Sequence, residues 1–167
     1  EMPYDQQIQA LDVVAKISNA TRVNYAGSVL DSGSSRHLSR KTQVTNAEDV
    51  SALTGFNDNG VTAWTEGNGY LPTSFVDSRT GSKISIDVEN ADKLDTVHCN
   101  ILSMGKLLRK GYKVFLDLQN EMVVIPPGSD ARLKVELSDD DILRMPHELR
   151  TGAAATPMPK MPVHMAA

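Results

Sequence analysis

Short apolar and β-branched runs follow one another along most of this chain, and they limit what it can fold into. Gly, Asn, Asp and Pro separate the runs, and these residues are typical of turns. The segment 57–60 reads Asn-Asp-Asn-Gly, which tolerates the positive φ of a tight hairpin turn, and a second hairpin turn is predicted at 119–121. The pattern predicts strands at residues 22–25, 28–31, 61–66, 70–76, 83–88, 112–118, 122–125 and 132–137.

Helical spacing is found in few places. Apolar residues recur at that spacing after Asp5, which predicts a short helix over 5–18. A second helix is predicted over 101–110, with Gly111 as its stop signal. The acidic run 139–141 is expected to open a final helical turn. The fold class is therefore all-β in the main, with one convincing internal helix in the C-terminal half.

The chain is predicted to contain one folded domain with two extensions. Its 167 residues are 40% apolar, which is enough for one core. Residues 1–20 are interpreted as an N-terminal extension, and 21–137 as the domain. Residues 138–167 are interpreted as an extended or mobile linker, because Pro, Met and Ala dominate from Pro146 onward.

Composition excludes several classes of function. The net charge is −4 and the basic residues are scattered, so no direct nucleic-acid partner is expected. The single cysteine, Cys99, cannot form an internal disulfide and leaves too few soft ligands for a zinc site. We expect no metal and no cofactor. No apolar run approaches the roughly 20 residues of a membrane span. We therefore expect no membrane partner and a cytoplasmic, reducing location.

The tripeptide Asp31-Ser32-Gly33 has the composition of a catalytic loop. A strand ending in apolar residues would anchor it, and Gly33 would let its own amide approach the Asp31 carboxylate. The Ser32 hydroxyl is able to hydrogen-bond across a symmetric pair of such loops. Two carboxylates held close together share a proton, so that one acts as general base and the other as general acid. By itself, however, such a tripeptide is also a common turn.

The surrounding sequence resembles the retroviral-type aspartic proteases of Ty1/copia-like retrotransposon polyproteins. The segment 29–38 matches their first signature, and 100–114 is similar to their second, an Asn-Leu-Leu-Ser stretch followed by a Gly-Tyr-x-Val strand. Between these, 57–60 falls at the family's Ala-Asp-Gly turn and 66–70 at its Gly-x-Gly strand. The resemblance covers about residues 26 to 126 and keeps the order and spacing of all four elements.

The resemblance implies a retropepsin-like closed antiparallel β-barrel, which is half of a pepsin-like enzyme and is active only as a homodimer. The chain has one Asp-Ser-Gly, and the segment 77–81 is interpreted as a hairpin turn. A twofold axis would therefore place Asp31 beside its symmetry mate.

The resemblance also assigns residues to roles around that dyad. A flap would close over an extended polypeptide substrate, and further residues would support the dyad. The flap tip would comprise Asn57, Asp58, Asn59 and Gly60, and the supporting residues would be Ser34, Ile101, Leu102 and Ser103. The Ser34 hydroxyl is hypothesised to donate to the ionised dyad and lower its pKa.

The resulting hypothesis is an aspartic endopeptidase that processes its own polyprotein, within virus-like particles if it is a retroelement product. The principal alternative is a catalytically inactive, domesticated module used for dimerisation or peptide binding. A monomeric β binding domain with a coincidental Asp-Ser-Gly is the third possibility.

Other conspicuous residues receive structural interpretations. His37 is expected to have a surface or hydrogen-bonded structural role. Cys99 is expected to be a small buried hydrophobe, because the neighbouring His98 would point to the opposite face of a strand. Trp64 is expected to pack in the core rather than to line a substrate pocket.

Overall fold

The computed structural model describes residues 26–53 and 63–150. Within them the chain is mostly β with one short helix, which confirms the predicted class. The helix is α1 (Met104–Arg109). The strands are β1 (Gly27–Asp31), β2 (His37–Ser39), β3 (Gln43–Asn46), β4 (Ala52–Leu53), β5 (Ala63–Trp64), β6 (Asn68–Val76), β7 (Lys83–Lys93), β8 (Asn100–Ser103), β9 (Lys113–Asp117), β10 (Glu121–Ile125), β11 (Leu133–Lys134), β12 (Glu136–Leu137), β13 (Leu143–Pro146) and β14 (Glu148–Leu149).

A nine-stranded sheet forms the centre of the molecule. Its order is β12-β13-β1-β8-β2-β7-β6-β14, with β3 also paired to β6. Most pairings are antiparallel, but β1–β8 and β2–β7 are parallel. Among the described residues this path does not close on itself, so the closed antiparallel barrel is not found. The parallel pairs arise because long connections, and not hairpins, bring those strands together.

Two groups of buried apolar side chains lie on opposite sides of β8. Leu102 belongs to the larger group, which also includes Leu30 of β1 and Leu107 of α1. Its neighbour Ile101 belongs to the smaller group, with Leu38 of β2. Successive side chains of a strand point to opposite faces, so β8 is apolar throughout because it is covered on both sides.

This double burial corrects the predicted start of the internal helix. Residues 101–103 continue β8, and α1 begins only at Met104. The apolar run Ile101-Leu102 is compatible with a helix face, but it fits a central strand equally well. Ser103 then ends the strand and caps the helix, since its side chain accepts a hydrogen bond from the Lys106 amide.

The C-terminal prediction is wrong for residues 138–150. Strand β13 pairs with β1, and β14 pairs with β6, so these residues belong to the main sheet and not to a linker. Arg150 forms an ion pair with Asp87 of β7. The acidic run 139–141 is a hairpin turn between β12 and β13, and Asp141 adopts a φ of 63°, which a helical turn does not allow.

The remaining strand predictions agree with the described structure to within a few residues, with two exceptions. β7 runs on to Lys93, five residues past the predicted end at 88. The single strand predicted over 132–137 is divided into β11 and β12. The predicted turn at 119–121 is present, because the Asn120 amide donates to the Asp117 carbonyl at 3.1 Å.

Some predictions fall outside the described residues. These are the helix over 5–18, the strand at 22–25, the start of the strand at 61–66 and the tail beyond 150. In the part of the chain that the structure describes, no helix is both long and apolar enough to cross a membrane.

Met145 tests whether β13 is an integral strand. Met145→Ala is expected to lower the free energy of unfolding by about 2 to 5 kcal/mol, because a buried side chain is replaced by a cavity. Urea unfolding at neutral pH measures this difference. Leu137→Ala in the neighbouring strand is the control, because Leu137 is 41% exposed and Met145 only 1%. Equal losses in the two variants would contradict the burial of β13.

Candidate active site

Asp31 is the last residue of a buried strand. Val29 and Leu30 precede it and are both buried, so β1 is fixed in the sheet up to the carboxylate. On one side β1 pairs in parallel with β8, where Asp31 lies opposite Ser103. Residues 31–35, from the end of β1 onward, form the Asp31 loop.

The Asp31 loop is held by a short bond between its first and third residues. The Gly33 amide donates to Asp31 Oδ1 at 2.8 Å. A Cβ on residue 33 would lie 3.3 Å from that same oxygen, tighter than an ordinary contact. Glycine is therefore favoured here because of this close approach, as the sequence predicted.

The second carboxylate oxygen of Asp31 has a different environment. Oδ2 is buried and has no hydrogen-bond partner among the described residues. Burial raises the pKa of Asp31, and the backbone amides of Gly33 and Ser34 only partly oppose the shift. An ionised carboxylate with an unpartnered buried oxygen is costly, so the site favours the protonated acid or a second group that shares its proton.

Ser103 fastens the Asp31 loop to α1. Its Oγ donates to the Ser34 carbonyl at 2.6 Å and accepts from the Lys106 amide at 3.1 Å. The Ser103 amide donates to His37 Nδ1 at 2.9 Å. Ser103 is fully buried, so these hydrogen bonds are shielded from water.

The side chain of Ser34 does not point its hydroxyl proton at Asp31. Ser34 Oγ donates to the Arg36 carbonyl at 2.7 Å and accepts from the Arg36 amide at 3.2 Å. The hypothesis that this hydroxyl lowers the pKa of Asp31 is wrong for the arrangement described. Ser34 acts on Asp31 through its backbone amide, and on Ser103 through its carbonyl.

His37 is a buried acceptor behind the loop. Burial and the nearby charge of Lys106 lower its pKa to about 3. The neutral ring accepts at Nδ1, so its remaining proton is on Nε2. His37 also lines a small, partly open pocket together with Leu107 and Tyr112. The structural role expected for this residue is confirmed.

Cys99 lies close enough to Asp31 for their charges to interact. Burial raises the pKa of the thiol to about 12, with Arg144 opposing the shift and Asp31 adding to it. The protonated thiol is a poor nucleophile. Cys99 is half-buried and packs against the smaller apolar group, while His98 is exposed.

The predicted flap tip, Asn57 to Gly60, lies outside the described residues. The flanking strands β4 and β5 are described and pair with each other, with Leu53 opposite Ala63. Both of these side chains pack against the smaller apolar group that contains Ile101. Trp64 at the end of β5 is 61% exposed, so the expectation that it packs in the core is wrong.

The second acidic turn of the chain is built differently. Asp77 begins the hairpin turn between β6 and β7, where the Gly81 amide donates to its carbonyl at 2.8 Å. Its carboxylate accepts hydrogen bonds from the Arg79 and Arg132 amides and from Thr80, and these bonds lower its pKa. Asp77 is thus fully partnered, whereas Asp31 is not. The interpretation of 77–81 as a structural turn is confirmed.

Asn100 begins the second signature, and the sequence does not predict a contribution from it to the site. Its Oδ1 accepts from Ser39 at 2.5 Å and its Nδ2 donates to the Gly27 carbonyl at 3.0 Å. It therefore links β8 to both β2 and β1. The sequence signal that could have identified this role is a polar residue placed directly before a buried apolar run.

Comparison with known proteins identifies no relative of this chain. No family model, curated protein or solved structure matches the chain. Within the residues described, no three His, Cys, Asp or Glu side chains are grouped so that they could bind a metal ion.

Ser103→Ala tests the connection between the loop and the helix. The variant loses the helix cap and leaves the buried Ser34 carbonyl without its donor, so the free energy of unfolding is expected to fall by about 2 kcal/mol or more. Denaturant unfolding at neutral pH measures the loss. Ser35→Ala is the control at an exposed position of the same loop. A loss no larger than that of the control would contradict the role of Ser103.

His37→Asn tests the buried histidine. Between pH about 3 and 6.5 the imidazole is neutral in the folded protein and charged in the unfolded chain. The unfolded state binds more protons there, so acid destabilises the fold across this window. Asparagine retains an acceptor but does not titrate, and we expect the slope of unfolding free energy against pH to fall by up to about 1.4 kcal/mol per pH unit.

Urea unfolding at several pH values measures that slope. His98→Asn is the matched control, because it removes an imidazole from an exposed position. Superimposable curves for the wild type and His37→Asn would contradict the buried, uncharged state of His37.

Proposed function

We propose that this domain is one protomer of a homodimeric aspartic endopeptidase of the retroviral type. The observation that carries the proposal is Asp31, a buried carboxyl group held by one oxygen and unpartnered at the other. The Asp77 turn shows what a purely structural aspartate in this fold looks like, with every contact made and a lowered pKa. Asp31 differs from it in both respects.

A second Asp31 is the partner that this geometry calls for. Each chain contributes one Asp31 loop, and Ser32 and Gly33 of this loop are exposed, so a twofold axis beside them would bring the two carboxyl groups close to each other. The two carboxyl groups would then share one proton, because two adjacent negative charges are unfavourable. The raised pKa of a single Asp31 favours this shared, singly protonated state. The dyad would titrate as a unit.

Such a dyad hydrolyses a peptide bond with no covalent enzyme intermediate. The ionised carboxylate accepts a proton from water while the water oxygen bonds to the peptide carbonyl carbon, and the protonated carboxyl donates its proton to the carbonyl oxygen. Collapse of the tetrahedral intermediate returns a proton to the leaving nitrogen and breaks the C–N bond. The Ser103 and Gly33 bonds support this step by fixing where the Asp31 oxygens lie.

An extended polypeptide is the proposed substrate. The hairpin of β4 and β5 packs its inner residues on the apolar group behind β8, and its tip at residues 57–60 would lie over the bound chain as a flap. Strand-like pairing would recognise the backbone and apolar pockets the side chains. The resemblance of 29–38 and 100–114 to retrotransposon proteases supports the chain's own polyprotein as the substrate.

Activity of the full chain beside Asp31→Asn tests the proposal. The wild type is expected to cleave itself or an unstructured protein, with inhibition by pepstatin, while Asp31→Asn is expected to lose at least about 10³-fold in rate because the dyad no longer has an ionisable pair. Fragments resolved by mass spectrometry across acid to neutral pH measure the rate. Asp77→Asn is the matched control, since it neutralises the other Asp-Ser turn and is expected to keep its activity per folded molecule.

A mixing experiment tests the symmetry. Adding excess Asp31→Asn to a fixed amount of wild type is expected to reduce the rate, because mixed dimers contain only one ionisable Asp31. An undiminished rate would indicate a site complete within one chain. Equal processing by wild type and Asp31→Asn would leave the inactive peptide-binding or dimerisation module as the better account.

A further inference from the structure

Strand β9 presents an open, apolar edge. It is the last strand of the sheet β11-β10-β9 and pairs only with β10 among the described residues. Phe115 is 47% exposed, and Leu116 and the following Leu118 are also exposed. Exposed apolar edges of this kind are sites where another strand adds on, and proteins usually protect them with charges or bulges.

The direction of the free backbone groups follows from the bonding of β10. The Met122 carbonyl accepts from the Val135 amide, so Met122 directs its backbone toward β11 and away from β9. Its neighbour Val123 therefore bonds to Phe115, the residue opposite it. By alternation, Val114 and Leu116 direct their N–H and C=O groups to the open edge.

We propose that β9 pairs in antiparallel fashion with β9 of a second copy of this chain, about a twofold axis at Phe115. In this register Val114 lies opposite the partner's Leu116, and the two residues exchange both backbone hydrogen bonds. The two Phe115 side chains meet at the axis in a non-hydrogen-bonded pair, where side chains approach most closely.

The charges of β9 complement themselves in this register. Lys113 lies opposite the partner's Asp117, and the same pair recurs on the other side of the axis. Hydrogen bonds from Asn120 and the Gln119 amide lower the pKa of Asp117, which keeps its carboxylate ionised. Lys113, Phe115 and Asp117 share one face of the strand, so two ion pairs flank one aromatic pair. A parallel arrangement in register would instead place like charges side by side.

The opposite face of β9 also gains from this pairing. Val114 already packs against the larger apolar group, while Leu116 on the same face is 42% exposed. Placing Leu116 beside the partner's Val114 extends that apolar layer across the axis. The result is a continuous six-stranded sheet formed from two three-stranded ones.

This contact does not involve Asp31 and does not rest on the proposed peptidase. A chain that uses both contacts has two twofold interfaces and assembles beyond two copies. The weight-average mass therefore distinguishes the two interfaces. A chain that loses only the β9 contact still forms the species that depend on Asp31, and it loses only the larger assemblies.

Charge reversal of the full chain tests the register. Lys113→Asp and Asp117→Lys each create like-charge pairs and are expected to weaken this association at least about tenfold. Mixing the two variants restores both ion pairs, so the mixture is expected to exceed either variant alone in weight-average mass by sedimentation equilibrium. Dimerisation through Asp31 would occur equally in the mixture and in each variant. It would therefore contribute nothing to the difference in weight-average mass between them.

A cross-link tests the same axis without altering the Asp117 turn. Phe115→Cys is expected to form a 115–115 disulfide under mild oxidation, because directly opposed residues at a non-hydrogen-bonded position bring their Cβ atoms into range. Val76→Cys, at an exposed strand end, is the control and is expected to remain monomeric on non-reducing gels.

Other results would overturn the proposal. These are a mixture no heavier than its components, or no 115–115 disulfide. Slow amide exchange at Val114 and Leu116 that is independent of protein concentration would also overturn it, because it would indicate that a segment of the same chain covers β9.

Discussion

The hydrogen bonds of Ser103 are the contacts on which the position of Asp31 depends. This one buried residue ends β8, caps α1 with its side chain and donates from its hydroxyl to the Ser34 carbonyl of the Asp31 loop, while its amide donates to His37. Loop, helix and central sheet therefore share a single junction. Because the junction is dry, each bond is strong and none exchanges readily with water. The carboxylate can then be left with one unpartnered oxygen, since its surroundings are fixed by other groups.

Local pattern predicted most strands of this fold because their turns are marked by Gly, Asn and Asp. It failed where the outcome depended on distant neighbours. Ile101 and Leu102 are compatible with a helix face or a strand buried on both sides, and only the presence of core on each side of β8 decides between them. Met145 lies in the segment 138–167, which the sequence predicts to be a linker, yet it pairs with β1 and packs in the core.

The local bonding of the Asp31 loop was predictable in part, and the wider contacts of the loop were less so. The Asp31–Gly33 bond follows from the tripeptide, because an Asp side chain readily accepts from the amide two residues on and glycine avoids a tight Cβ contact with the carboxylate. The Ser34 hydroxyl was assigned to Asp31, but the Arg36 backbone lies nearer along the chain and competes successfully for it. Sequence could not separate Asp31 from Asp77 by acidity, since the difference arises from the amides and hydroxyls that each fold environment supplies.

The place of β1 in the sheet sets an order of events during synthesis. Its neighbours are β8 and β13, and Ser28 in β1 bonds to His147, 119 positions further along the chain. The Asp31 loop also depends on a hydrogen bond from Ser103, which lies 69 positions after Ser34. A nascent chain that carries the Asp31 loop but has not yet produced β8 and β13 has no means of holding that carboxylate in place. Asp31 is among the first residues of the described domain to be synthesised, whereas the residues that hold its loop and strand come much later in the chain.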